Sequence, residues 1–151
     1  MQPKLIFASP LPPKISEQFL EDVLKSTLEI TDLNLKGSIS LAFVSKSKMQ
    51  KLNMEFAKND YPTDVLSFSY PGNIISAQDI SGEVVICTSI AASQAKENST
   101  DFVSEVALLF AHGLMHLAGM DHQTEPEQAS FDGLQSAIIE SLSLKYRSMS
   151  W

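Results

Sequence analysis

Polar and apolar residues alternate from Ser38 to Val44, with Ile39, Leu41 and Phe43 on one side of the chain. That period of two marks a half-buried strand. A second strand is expected over Asp64 to Tyr70, after the breaker Tyr61-Pro62, and a short one over Leu5 to Ala8, ended by Pro10, Pro12 and Pro13. Gly82 to Cys87 is almost continuously apolar, which suits a central strand covered on both faces. Elsewhere the period is helical. Ser16 is placed to cap a helix with Phe19, Leu20, Val23, Leu24 and Leu28 on one face. Ser45 to Ala57 reads as a second helix with Met49, Leu52 and Phe56 inward, and Thr88 to Glu97 as a short Ala-rich one. Thr100 or Asp101 caps a long apolar helix, Phe102 to Ala118, which Gly119 stops. Pro126 fits the first turn of a last helix carrying Leu134, Ile138 and Leu142, and Pro71 to Ser81 reads as a loop. No repeat or low-complexity tract breaks the pattern. Residues 1–151 are therefore expected to form one α+β domain, a small mixed β-sheet packed with helices.

Length and composition narrow the classes. A chain of 151 residues can bury roughly two-thirds of its unfolded surface. At 44% apolar and 19% charged it has an ordinary globular balance, which excludes a disordered chain. Leu5-Ile6-Phe7-Ala8 is too short for a signal-peptide core. Val106 to Met120, interrupted by two histidines, falls short of the roughly 18 apolar residues of a membrane span. The single cysteine, Cys87, lies in an apolar run and reads as a buried structural thiol. These features fit a cytoplasmic protein with no membrane partner. A net charge of −7 argues against general nucleic-acid binding, but the charge is uneven. Lys46, Lys48, Lys51 and Lys58 cluster in one segment, whereas Glu97 to Glu140 holds eight acidic residues and no Lys or Arg.

The three histidines of the chain all lie in Ala-His112-Gly-Leu-Met-His116-Leu-Ala-Gly119-Met-Asp121-His122. Residues four apart on a helix differ by about 40° around the axis and about 6 Å along it. His112 and His116 therefore share a face and can bind one ion. A continuing helix would carry His122 roughly 240° further around. The helix must break first, and Gly119 stands where a left-handed residue turns the chain back. His112, His116 and His122 are thus expected to bind one zinc ion. Three imidazoles leave the fourth position of a tetrahedral zinc open, as in catalytic rather than structural sites. Nickel, copper and iron also accept imidazole. Asp121 either orients a ligand histidine or serves the turn through a backbone hydrogen bond.

The spacing matches the metzincin peptidase pattern H-E-x-x-H-x-x-G-x-x-H at all three histidines and at Gly119. Gly113, however, occupies the place of the glutamate that acts as the peptidase's general base. The zincin-like metal helix with its glycine turn is kept, while peptidase chemistry loses its base.

The string His112-Gly113-x-x-His116-Leu117-x-Gly119-x-Asp121-His122 resembles the H-G-x-L-H-L-x-G-x-D-H signature of the YbeY family, metal-dependent bacterial endoribonucleases. Pro62-Thr63-Asp64-Val65-Leu66-Ser67-Phe68, preceded by Leu52-Asn53, is similar to that family's P-T-D-V-L-S-F block, and Gly82-Glu83-Val84-Val85-Ile86 to its G-D-I-x-I strand. The likeness runs over roughly residues 38 to 140. It implies a single-strand-specific, zinc-dependent endoribonuclease of ribosomal RNA maturation, acting at the 16S rRNA 3′ end and in ribosome quality control, with RNA and the small ribosomal subunit as partners. Ala57 departs from the pattern, since the family usually carries an arginine there. The only arginine in this chain is Arg147, far along the sequence, and Lys58, beside the gap, is a point charge rather than a bidentate fork.

On this reading the four lysines hold an RNA backbone, unless they are only a solvated helix face with Lys51 and Glu55 as an i,i+4 pair. No catalytic acid or base is assigned. Glu83 and Asp64, at strand starts, are the carboxylates placed to approach the site. Two other functions compete: a different metal hydrolase, such as a peptidase drawing its base from elsewhere, and a non-catalytic, zinc-stabilised, ribosome-associated protein.

Overall fold

The computed structural model describes residues 2–70 and 79–149. Most of the expected loop from Pro71 to Ser81 lies outside them. Four strands, β1 (Lys4–Phe7), β2 (Ser38–Val44), β3 (Val65–Ser69) and β4 (Ile80–Cys87), form one sheet in the order β1-β2-β4-β3. β1, β2 and β4 run parallel, and β3 pairs antiparallel with β4, so the sheet is mixed and β4 lies inside it. Five helices accompany it: α1 (Glu17–Thr31), α2 (Lys46–Ala57), α3 (Thr88–Glu97), α4 (Phe102–Leu117) and α5 (Glu125–Ser141). This is the expected α+β architecture in one small domain. Among the described residues no helix is long and apolar enough to cross a membrane.

Strand parity divides the core in two. Ile39, Leu41, Phe43, Val84 and Ile86 face a large cluster built with α1, α4 and α5. Val85 and Cys87 point to the other face and meet Met49 of α2, with Leu52, Leu66 and Phe68 at the margin. The continuous apolar character of β4 follows from this double cover. Cys87 is fully buried, as the sequence suggested.

Helix α4 fills the larger cluster. Its residues from Ser104 to Met115 are all buried, and Asp101, not Thr100, caps it by accepting the Ser104 N–H at 2.8 Å. Close approach to the sheet fixes the residue at 113. A Cβ on Gly113 would lie 2.8 Å from Val84 Cγ1 and 3.1 Å from Ser67 Oγ, and Ser67 donates its hydroxyl to the Gly113 carbonyl at 3.1 Å. A glutamate there would collide with β4.

Helix α2 corrects one expectation. Met49 is buried, but Phe56 is 59% exposed. The cluster beneath α2 is narrow, and the position one turn after Met49 is filled by Asn53. Asn53 Nδ2 donates to the Tyr61 carbonyl at 2.8 Å, and its own carbonyl accepts the backbone N–H groups of Lys58 and Asn59. The helix is held by polar stitching of the chain that leaves it. Phe56 instead meets Phe68 edge to face at its rim.

Candidate metal centre

Two helical ligands and a turn build the centre. His112 and His116 lie one turn apart near the end of α4. The helix closes in a Schellman motif: Gly119 N–H bonds to His116 O at 3.0 Å and Met120 N–H to Met115 O at 3.1 Å. Gly119 takes φ +93°, a conformation that costs an L side chain about 1 kcal/mol or more. The chain then doubles back, and Asp121 accepts the His122 N–H at 2.8 Å, which is the turn role of the two considered for it. Thr124 opens α5 with a reciprocal capping box to Glu127, fixing the exit from the turn.

The three rings converge. His116 Nε2 is 3.1 Å from His112 Nε2 and 3.1 Å from His122 Nε2. The ligand atoms of all three lie within 4.8 Å of one another and could hold a metal ion. Nitrogens bound to a tetrahedral zinc at about 2.0–2.1 Å stand roughly 3.3 Å apart. The two pairs through His116 stand within a few tenths of an ångström of that separation, so the donor set fits one such ion.

Burial prepares the rings. His112 is 8% exposed, and this burial pulls its pKa down to about 4 against the opposing hydrogen bond with Gln135. His116 is lowered as well, first by burial and then by His122. His112 is thus neutral at pH 7, and a neutral ring can offer a metal a lone pair.

Periodicity did not reveal two residues of α5. Gln135, fully buried, places Oε1 2.8 Å from His112 Nδ1. Phe131, one turn earlier and also fully buried, packs its ring centroid 5.0 Å from His112 and 5.2 Å from both His116 and His122. The available signal was Gln135 itself, a polar residue on the stripe of Phe131, Leu134, Ile138 and Ile139.

The other nominated residues are placed differently. Asp64 anchors the start of β3. Its Oδ1 accepts the Val65 N–H at 2.7 Å and its Oδ2 accepts from Gln94 Nε2 at 3.2 Å, while its charge opposes the pKa drop of His112. Glu83 sits between Gly82 and Val84, whose inner sides face α4, and so falls on the opposite face of the sheet. There it lines a cleft with Leu52, Phe56, Phe68, Tyr70 and Val85. Arg147 donates through Nε and Nη2 to the buried Glu105 carboxylate at 3.1 and 2.5 Å, and Nη2 also reaches Gln94 Oε1 at 3.2 Å. The only arginine is therefore committed to a buried ion pair on α4. Lys58, at the end of α2, folds back to donate to the Glu55 carbonyl at 3.3 Å. Ala57, the last residue of α2, is exposed.

Comparison with known proteins gives a consistent picture. A sequence model of the family described as Endoribonuclease YbeY matches residues 9–143. A protein of Carboxydothermus hydrogenoformans named Endoribonuclease YbeY is 37% identical over 119 residues, 79% of this chain and 82% of its own. Proteins of that name from Bdellovibrio bacteriovorus and a Sulfurihydrogenibium species are 38% and 36% identical, covering 71% and 85% of this chain and 69% and 85% of theirs. A Thermotoga maritima protein solved in solution superposes with a TM-score of 0.59 at 22% identity, over 92% of this chain and 91% of that one, a likeness of fold.

Proposed function

The chain belongs to the endoribonuclease YbeY family, and from that premise we propose that it is a zinc-dependent, single-strand-specific endoribonuclease of ribosomal RNA maturation. In this reading it acts in the cytoplasm on the 3′ end of 16S rRNA and in ribosome quality control, with the small ribosomal subunit as its setting. The observation that carries the proposal is the convergence of three Nε2 atoms at the end of α4.

His112, His116 and His122 would hold the ion. When bound, zinc supplies a Lewis acid beside a phosphodiester and an acidified water at neutral pH. The protein's part is positioning. Gln135 orients His112, Phe131 supports all three rings, and the Gly119 turn brings His122 to the pair. Lys46, Lys48 and Lys51, all exposed on α2, hold the RNA backbone by charge, as does the exposed Lys58 beyond it. A peptidase is disfavoured on steric grounds, because Gly113 faces Val84 where the peptidase glutamate would stand.

One observation favours the non-catalytic, ribosome-associated reading: Arg147 is occupied by Glu105, and Ala57 presents no charge. Elemental analysis of the purified chain, followed by cleavage of precursor ribosomal RNA beside the His116→Ala variant, separates the readings. Bound zinc with RNA cleavage that the variant lacks is the expected result. Bound zinc without turnover supports the non-catalytic protein, peptide cleavage supports a peptidase, and nickel or another divalent metal in place of zinc corrects the cofactor.

A further inference from the structure

We propose that the cleft between the C-terminal half of α2 and the sheet is a nucleobase subsite, which takes one unpaired guanine of an RNA strand with its Watson–Crick N–H edge on the Glu83 carboxylate and its ring against Phe56 and Tyr70. The inference rests on the ribonuclease reading above and gives it a base preference and a second contact site, on the far face of the sheet from the histidines.

Strand parity assembles the cleft. Phe68 of β3 and Glu83 of β4 stand directly opposite each other, so their side chains share one face. Val85, two residues along β4, falls on the same side. Tyr70 continues the ladder past β3 by donating its N–H to Ser81 O at 3.0 Å. From α2, Leu52 and Phe56 come over at i,i+4 spacing and close the other wall. The cleft measures about 340 Å³, which suits one small flat group. Phe56 meets Phe68 edge to face at 5.0 Å, and the rings of Phe56 and Tyr70 stay 59% and 43% exposed. Solvent-facing aromatic rings of this kind are stacking platforms for unpaired bases.

Charge selects the occupant. Glu83 is the charged residue of the cleft. Among the described residues no Lys, Arg or His forms an ion pair with it; the ion pairs there join Lys145 to Asp101 and Arg147 to Glu105. A carboxylate accepts hydrogen bonds and repels phosphate. Positive charge lies outside: Lys48 begins the helical row that runs through Leu52 to Phe56, and Lys51 flanks it. The occupant therefore carries anions along the helix and N–H donors at its inner end. One nucleotide of a single strand has this polarity. Guanine fits best, because N1–H and the 2-amino group offer two parallel donors to the two carboxylate oxygens. Adenine and cytosine offer the amino group alone. Uracil sets its N3–H between two carbonyls, which the carboxylate repels. In a duplex this edge is already paired, so the cleft reads single strands.

The cleft and the metal centre lie back to back at the β3 edge of the sheet. Gly82, next to Glu83, faces Leu117, next to His116; a Cβ added at Gly82 would lie 2.7 Å from Leu117 Cδ2. β3 is the edge strand. A single RNA strand crossing that edge meets the cleft on one face of the sheet and the histidines on the other.

The test titrates the full chain, as purified, with fluorescent 2′-O-methyl heptanucleotides whose integrity is checked on a gel. One is uridine throughout; the others carry a central guanosine or a central inosine, which lacks the 2-amino group. The parent should bind the guanosine strand at least about fivefold tighter than the uridine strand, with inosine between them. Glu83→Gln presents one acceptor beside one donor, which matches uracil as well as guanine, so the preference should vanish while uridine binding persists. Phe56→Leu keeps apolar bulk without a ring face and should weaken the guanosine strand by about fivefold or more. Both variants should keep the zinc content and melting temperature of the parent; if either does not fold, the parent's guanosine, inosine and uridine series decides alone. Equal affinity of the parent for guanosine and uridine strands would overturn the subsite, as would a guanosine preference that Glu83→Gln retains. An arginine-rich peptide that binds through Glu83 where the strands do not would make the cleft a protein-docking face and overturn it too. Failure of the ribonuclease reading shows separately, as uncleaved precursor RNA, and the base series still judges the cleft.

Discussion

The end of α4 and the outer face of α2 carry the chain's two concentrations of chemistry, and they are built in opposite ways. Around α4 every polar atom that matters is held by another element: His112 by Gln135 of α5, His122 by the Gly119 turn, Glu105 by Arg147. On α2 the lysines project from a helix that buries only Met49 and Asn53. A metal tolerates errors of a few tenths of an ångström, so its ligands must be fixed before it arrives. Charge attraction to a polyanion falls off over a Debye length of about 8–10 Å and tolerates moving side chains. The molecule places rigidity where bonds are directional and leaves freedom where they are not.

That contrast can be broken most severely at the centre. His116→Ala should abolish stoichiometric zinc binding and RNA cleavage together while the lysine face still binds RNA, read by elemental analysis and a gel-shift titration. Loss of RNA binding as well would show that the two regions are not separable. Glu105→Gln leaves the buried Arg147 charge without its partner and should destabilise the fold by about 3–5 kcal/mol in urea melts, the usual cost of breaking a buried pair from one side.

Acid should act at the centre next. The buried His112 has a pKa of about 4 in the folded chain against 6.5 for the ordinary group. Above about 6.5 it is neutral in both states and contributes no penalty. As pH falls below that, the unfolded chain takes the proton first, so the metal-free protein should lose stability between about pH 6.5 and pH 4 and no more from this group below it. Urea melts in chelator across that window check the slope, and a flat profile would remove the claim that burial holds this ring neutral.

The smaller effects lie on α2. Replacing Lys46, Lys48, Lys51 and Lys58 by alanine should lower the slope of log affinity against log salt for single-stranded RNA by up to about 3, with zinc content and melting unchanged. An unaltered slope would make the cluster a solvated face. Ala57→Arg restores the charge that the family pattern carries and should tighten RNA binding by a few-fold, about 1 kcal/mol or less. If it raises turnover instead of affinity, position 57 belongs to the chemistry.

The sequence by itself determined what depends on near neighbours. Apolar period located the strands and helices, Ser16 announced one cap and the pair Thr100-Asp101 the place of another, and the H-x3-H-x5-H spacing with Gly119 required a helix, a turn and a common centre. These are local because a cap, a helical turn or a left-handed glycine is decided within about six residues. Only the tertiary structure decided what comes from afar. It placed Gln135 and Phe131 behind the histidines, Arg147 on Glu105, Tyr146 on Asp132, and Glu83 on the far face of the sheet. It also exposed Phe56, which helical periodicity had turned inward, because the cluster under α2 is small and Asn53, one turn after Met49, takes the buried position with a polar contact. The contacts of Tyr146 with Asp132, Gln135 with His112 and Arg147 with Glu105 join residues 14 to 42 positions apart, and no local pattern encodes them. They follow from how whole elements pack, with each buried polar group taking the partner that packing brings within reach.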